Sequence, residues 1–360
     1  MKKLHIIYTG GTIGGECDPN ADVIQEDIKP KSFMALLSKK FPDLKDTAAI
    51  SYETPVKKFS ENISPLDWVA IARSAYKAAS SGVDGIVIPH GTDTMSYTAA
   101  ALSYLLQGLK IPVVLTGSNY PFAYPKTDAD RNLSDAIRVT LEGDMNGVFL
   151  VFSGIYDKPS TIHLGTRVRK IRFYDACFKS VNTEPIGQIK KNFWTTKHSI
   201  EIINRSLLET IQQRNRNAEF LLKDNIDENI YFIKTHPGYD ISRAIAGINS
   251  KPPRALLLEL YNSGTGCVEG KNSLLFLLEH VNEKLKIPVF VTSQNEGTVT
   301  MDTYMSSKKL RDVGAIPLRD MTTEGAIPKL MWCLGQKREK DEIVKLMLTD
   351  IAGEIAYDKR

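Results

Sequence analysis

The chain has 360 residues, 42% of them hydrophobic and 24% charged, which are the proportions of a globular protein and exclude long disorder or a fibrous class. Its 46 basic and 42 acidic residues give a net charge of +4, with no basic block of the size a nucleic-acid footprint needs. No segment reaches the roughly 20 apolar residues that span a bilayer, and Cys17, Cys177, Cys267 and Cys333 lie far apart without a CxxC pair, so neither a zinc cluster nor a disulfide framework is suggested. Met1 to Tyr8 carries two lysines, but its apolar run stops at Thr9-Gly10-Gly11, too short for a secretory signal. The expectation is a cytoplasmic protein with room for two domains.

Leu4 to Tyr8 reads as a buried strand ending in Thr9-Gly10-Gly11-Thr12-Ile13-Gly14-Gly15. A nucleotide loop is excluded on spacing: no GxGxxG register fits, and Glu16 stands where a Walker lysine belongs after Gly10 and Gly15. Glu16 to about Lys31 is charged and interrupted by Pro19 and Pro30, which predicts a long loop beside a strand end, the place of a lid. Further on, Ser64, Pro65 and Asp67 fit the cap, first and third positions of a helix running to about Ser80. Ser60 and Glu61 fall in the turn before it, which taken alone reads as solvated.

Gly85 to Pro89 is an apolar run followed by His90-Gly91-Thr92-Asp93-Thr94-Met95 and a helical segment to Leu106. Ile111 to Leu115 repeats the pattern and ends in Thr116-Gly117-Ser118-Asn119; a helix opens around Asp130 to Ile137 and a strand follows from Gly147 to Phe152. Strands alternating with helices predict a parallel sheet with right-handed crossovers. The three Thr-, Ser- and Gly-rich strand ends then line one edge, where ligands of such sheets bind.

Arg167-Val168-Arg169-Lys170-Ile171-Arg172 has three readings: an anion site, a solvated edge, or a lysine placed among hydroxyls and a carboxylate for proton transfer. From Asn192 to Asn229 the chain turns polar, with Gln212 to Asn217 least globular, and this is the linker candidate. A second α/β pattern follows, with strands at Ile230 to Ile233, Ala255 to Leu260 and Pro288 to Thr292, and helices around Ser273 to Lys284 and after Asp320-Met321-Thr322-Thr323-Glu324.

Taken in order, Tyr8-Thr9-Gly10-Gly11-Thr12-Ile13, Ser60-Glu61-Asn62, His90 to Met95, Thr116-Gly117-Ser118, Phe178 to Asn182 and Asp320 to Glu324 resemble the bacterial-type L-asparaginase/glutaminase family. Within it the wording is most similar to the cytoplasmic type I asparaginases. Ser60-Glu61-Asn62 and Arg167 to Lys170 are also similar to the asparaginase-like subunit of archaeal glutamyl-tRNA amidotransferase, which carries an extra N-terminal domain not seen here.

The resemblance implies a two-domain α/β fold: a larger, mainly parallel N-terminal sheet flanked by helices over residues 1–195, a linker over 196–228, and a smaller C-terminal α/β domain over 229–360. It further implies homodimers or homotetramers and no metal or organic cofactor. Thr12 would be the nucleophile, and Thr92, Asp93 and Lys170 the second cluster. Ser60 and Glu61 would hold the α-amino and α-carboxylate groups of a small amino-acid substrate, with Gly11 and Ser118 also in the binding surface. The residue types suit amide hydrolysis, because a threonine hydroxyl needs a nearby base and donors for the developing oxyanion.

Three positions depart from the family pattern. No tyrosine stands between Tyr8 and Tyr52, with Val23 near where a lid tyrosine belongs. The stretch from Lys170 to Phe178 is about one residue short, so an ungapped reading puts Arg169 at the lysine position; Lys170 is preferred because arginine is not deprotonated. Asn119 and Tyr120 replace the usual Gln after Thr-Gly-Ser. Three activities stay open: asparagine hydrolysis to aspartate and ammonia, a glutaminase component that passes ammonia to a partner, and a non-catalytic amino-acid-binding protein. The choice between asparagine and glutamine is not legible, since one methylene is worth only about 1–3 kcal/mol in a pocket.

Overall fold

The computed structural model describes residues 1–17, 24–25, 30–124, 127–153, 159–172, 177–191 and 198–356. The chain divides into two compact units, Met1–Asp224 and Asn225–Arg360. In the first, the strands are β1 (Lys2–Ile7), β2 (Ala48–Glu53), β3 (Gly85–Pro89), β4 (Pro112–Thr116), β5 (Gly147–Phe152), β6 (Thr161–Leu164), β7 (Val168–Lys170), β8 (Phe178–Ser180), β9 (Gly187–Lys191) and β10 (His198–Ile202). Its main helices are α1 (Pro30–Lys40), α2 (Pro65–Ser80), α3 (Met95–Leu105), α4 (Ala129–Glu142) and α5 (Arg205–Asn217).

Eight strands form one sheet in the order β10-β9-β6-β5-β4-β3-β1-β2. The five from β2 to β5 are parallel, and β6, β9 and β10 continue antiparallel. The apolar runs of β3, β4 and β5 are buried along their whole length, as strands covered on both faces must be. On one face Leu4, Ile6, Val87, Val114 and Phe149 meet Phe33 and Leu37 of α1 and Leu133 and Ala136 of α4. The parallel order 2-1-3-4-5 reverses between β1 and β3, and the crevice at that switch point, outside the strand carboxyl ends, is where such sheets bind ligands. Thr12 follows β1 and Thr92 follows β3.

The predicted cap of α2 is present: the Ser64 N–H and hydroxyl both donate to the Asp67 carboxylate at 2.7 Å, and Lys58 pairs with it at 2.8 Å. Of the polar stretch read as a linker over 196–228, residues 198–224 belong to the first unit and 225–228 to the second. His198–Ile202 is the edge strand β10, and α5 buries Leu208 and Ile211 in the main core. An edge strand and a helix with one narrow apolar stripe show too little hydrophobicity to be told from a linker. Of the expected lid, Glu16–Cys17 pairs antiparallel with Ile24–Gln25 and Pro30 already starts α1; Val23 lies outside the described residues.

In the second unit β11 (Ile230–Lys234), β12 (Ala255–Leu260), β13 (Val289–Ser293) and β14 (Ala315–Pro317) form an all-parallel sheet in sequence order. Helices α6 (Ile241–Ser250), α7 (Leu274–His280), α8 (Met305–Asp312), α9 (Thr323–Gln336) and α10 (Lys340–Leu348) complete it. Ile241, Ala244, Leu277 and Leu310 pack on Leu256, Leu258, Val289 and Val291. Among the described residues no helix is long and apolar enough to cross a membrane.

Each unit encloses ionisable groups. Lys329 of α9 and Glu354 are both fully buried and pair at 2.5 Å; Lys329 also donates to the Met347 and Thr349 carbonyls, and Glu354 accepts from the Ile351 and Ala352 N–H groups. Burial alone would raise the Glu354 carboxyl, but Lys329 and these donors hold it below its ordinary value. His90 and His163 are enclosed in the first unit, and burial lowers them to about 4 and about 3.

Breaking the Lys329–Glu354 pair from one side, as in Lys329→Met, leaves a buried charge uncompensated and should cost about 3–5 kcal/mol in urea unfolding. The double variant Lys329→Met/Glu354→Leu should recover most of that loss; equal losses in both would contradict the pairing argument. The histidines are depressed in the fold relative to 6.5, so the stability they contribute is complete above pH 6.5 and lost as pH falls toward 4 and then 3. Replacing either by Asn should lower the pH slope of unfolding free energy in that window by about one proton; an unchanged slope would show that the imidazole is not held neutral.

Candidate active site

Three strand-end turns meet at the switch point, and glycine lets them touch. Gly10 and Gly11 have φ of 91° and 83°, backbone open to glycine at little cost. A methyl group on Gly11 would lie 2.4 Å from the Gly91 nitrogen, one on Gly91 2.7 Å from the Ser60 side chain, and one on Gly117 2.4 Å from the His90 carbonyl oxygen. The turns after β1, β3 and β4 are thus packed backbone to backbone, with Ser60 pressed against Gly91.

The Thr9 hydroxyl donates to the Pro89 carbonyl at 2.9 Å and ties the first turn to the second. Gly11 then leads into a single 3-10 turn, Thr12–Gly14, which leaves Thr12 partly exposed. Beneath it lies Tyr8, whose phenol oxygen sits where a Cβ of Gly14 would fall, 1.6 Å away. Its ring packs on Phe33 at 4.7 Å, and Phe33 on Phe122 at 5.5 Å. Burial pushes the Tyr8 hydroxyl up to about 12, so it stays a neutral floor under the turn.

In the second turn Thr92 is buried, and its Oγ1 accepts from Lys170 Nζ at 2.7 Å. The same Nζ lies 2.6 Å from Asp93 Oδ1, with side-chain exposures of 20% for Lys170 and 62% for Asp93. The carboxylate therefore stands at the mouth and the hydroxyl inside. Lys170 ends β7, and because successive strand residues face opposite ways, it and Arg169 cannot both reach Thr92. Lys170 is the one that does.

His90 holds this turn from behind. Its Nδ1 lies 2.7 Å from the Gly91 carbonyl, which only accepts, so Nδ1 carries the proton and Nε2 accepts from the Thr98 hydroxyl at 3.0 Å. Ser60 is 3% exposed, not solvated as its turn reads in isolation. Its hydroxyl accepts from the Asp93 N–H at 3.2 Å and its carbonyl from the Thr94 hydroxyl at 2.7 Å. Glu61 is exposed beside it.

Ser118, expected in the binding surface, is buried. It is 1% exposed, and its hydroxyl donates to the Tyr120 carbonyl at 2.5 Å, inside its own loop. That loop is held by two residues that sequence reasoning missed. The Asp128 carboxylate accepts from the Asn119 and Tyr120 N–H groups at 3.0 and 3.1 Å, while Asn132 donates to the Gly117 carbonyl and accepts from the Ser153 N–H, both at 3.0 Å. Burial raises the Asp128 carboxyl against these donors. The available signal is an Asp and an Asn four apart at a helix start, aimed back at the preceding loop. Asn119, one of the departures, also accepts from the Cys177 thiol at 3.3 Å.

A profile of the N-terminal asparaginase domain matches residues 3–201, and one of the glutaminase/asparaginase C-terminal domain matches residues 229–347. The chain is 35% identical to an L-asparaginase of Thermococcus kodakarensis, over 98% of this chain and 99% of that protein. It is 33% identical to a glutamyl-tRNA(Gln) amidotransferase component of Pyrococcus abyssi, over 99% of this chain and 77% of that protein. The solved structure of the thermostable L-asparaginase from Thermococcus kodakarensis superposes with a TM-score of 0.82 at 31% identity, covering 99% of this chain and 100% of that one. Two matched domains in the same order as the two folded units, with the strand-end turns inside the first, place the chain in the asparaginase family.

Proposed function

We propose that the chain hydrolyses the side-chain amide of L-asparagine to L-aspartate and ammonia, with Thr12 as nucleophile. The observation that carries this reading is Lys170 Nζ within hydrogen-bond reach of both Thr92 Oγ1 and Asp93 Oδ1, on a turn packed against the one bearing Thr12. The Thr12 oxygen attacks the amide carbon, its proton passes to the departing nitrogen, and ammonia leaves an aspartyl ester. Water then adds, returning the acid and the Thr12 hydroxyl. Lys170 exchanges the proton of Thr92 while Asp93 orients it, and the Thr92 hydroxyl with the backbone N–H groups of the turns stabilises each tetrahedral oxyanion. Glu61 and Asp93 suit the substrate's α-ammonium, and the N–H of Gly11 and the Ser60 turn its α-carboxylate. Ser118 acts through loop geometry, since its hydroxyl is engaged. A cytoplasmic homodimer or homotetramer accompanies this reading, and light scattering reports the assembly.

The identity to a glutamyl-tRNA(Gln) amidotransferase component favours a second reading: a glutaminase that hands ammonia to a partner protein. A co-purifying partner and glutamine turnover that rises in its presence would support it; full turnover of free asparagine by the isolated chain would argue against it.

Purified chain should release ammonia from asparagine, and Thr12→Ala and Thr92→Ala should each slow release by about a hundredfold or more. Unchanged release in either variant would remove its assigned role, while binding of asparagine by calorimetry without any release would favour a binding protein. Gly11→Ala should lower kcat by about a hundredfold and cost about 1–3 kcal/mol in urea unfolding, because the added methyl meets the Gly91 backbone. Wild-type kcat in that variant would contradict the close packing of the two turns.

A further inference from the structure

Lys170 is presented by a small element that does not hold itself in place. Among the described residues, strands β7 and β8 pair only with each other, over Val168 to Ser180, Arg169 to Lys179 and Lys170 to Phe178. A two-stranded hairpin of this size is marginal on its own, so the position of Nζ depends on what anchors the hairpin to the rest of the unit.

Gly165, just before β7, lies so close to α3 that a methyl group there would be 3.0 Å from the Ser103 hydroxyl and 3.1 Å from the Ala99 carbonyl oxygen. Phe178 meets Phe152 of β5 edge to face at 5.1 Å. The polar anchor is the bond between Ser180 Oγ and His163 Nδ1, at 2.8 Å, with both residues buried. His163 belongs to β6 of the main sheet, where it pairs with Leu150. Ser180 stands opposite Val168, two residues from Lys170 along the neighbouring strand. A shift of the hairpin by a fraction of an ångström carries straight into the Lys170–Thr92 contact.

We propose that His163 is a positioning residue: its bond to Ser180 fixes the β7–β8 hairpin to the main sheet and so sets Lys170 against Thr92 and Asp93. The catalytic consequence rests on Lys170 belonging to the reacting cluster; the positional one does not.

The experiment reads both. Lysine acylation by a small activated ester, followed by peptide mass mapping, reports how tightly Lys170 is held, and steady-state kinetics on asparagine report its use. In His163→Ala and Ser180→Ala, acylation of Lys170 should quicken about tenfold. In the same variants kcat should fall about ten- to a hundredfold with KM within about threefold. His163→Asn, whose amide falls where Nδ1 lies, should restore both to within about threefold of wild type, whereas His163→Gln, which reaches the Nε2 position, should not. A merely space-filling histidine would make Asn no better than Ala, and that result overturns the proposal. Unchanged Lys170 acylation in folded Ser180→Ala overturns it as well, and this variant carries the test should His163→Ala fail to fold. If acylation responds as expected while wild-type chain turns over neither asparagine nor glutamine, the anchoring stands and the reading of the reaction fails.

Discussion

Contact between backbones at three strand ends is the constraint on which the site depends. Gly11 against Gly91, Gly91 against Ser60 and Gly117 against the His90 carbonyl leave no room for a side-chain carbon. Each turn is stamped on its neighbour, and their relative position follows from steric exclusion, with hydrogen bonds trimming the result. This matters at a switch point, where the two strands that flank the crevice send their helices to opposite faces. The turns after β1 and β3 need to be bound to each other directly, and the Thr9 hydroxyl on the Pro89 carbonyl does so.

Around that contact the polar groups divide into those committed to backbone partners and a side-chain pair nearer the surface. His90, Asp128, Asn132 and Ser118 are buried and committed to backbone partners. Leaving any such group unpaired would cost about 1–3 kcal/mol, which makes their arrangement hard to disturb. Lys170 with Asp93 is a different kind of pair. Asp93 is mostly exposed, and ion pairs of that sort contribute about 0–1 kcal/mol, too little to place the lysine. Its position has to come from the hairpin that carries it, and hence from the packing of Gly165, Phe178 and Ser180. The C-terminal unit uses the opposite solution at Lys329 and Glu354, where both charges are enclosed and each is held by the other and by backbone groups.

The parts legible in the sequence are those decided locally. Apolar runs ending in Thr-Gly-Gly, His-Gly-Thr-Asp and Thr-Gly-Ser announce strands with turns at one edge, and Ser64 to Asp67 announces a helix start. The preference for Lys170 over Arg169 comes from proton chemistry and agrees with strand alternation, which lets only one of the two face Thr92. What is not legible depends on partners distant in the chain. Ser60 is buried because Gly91 packs on it, and nothing near Ser60 says so. The Ser118 hydroxyl turns into its own loop because Asp128 and Asn132 pull that loop tight. Residues 205–217 read as polar linker because α5 buries only a narrow stripe. His163 and Ser180 meet only once β6 and β8 are folded.

In the proposed reaction Thr12 takes the acyl group and the Thr92 cluster assists it. Wild-type chain quenched in acid during turnover of asparagine and mapped by mass spectrometry tests this most directly. An aspartyl ester is expected on the peptide that carries Thr12; an ester on the peptide that carries Thr92, or turnover without any Thr12 adduct when ester breakdown limits the rate, would contradict that assignment.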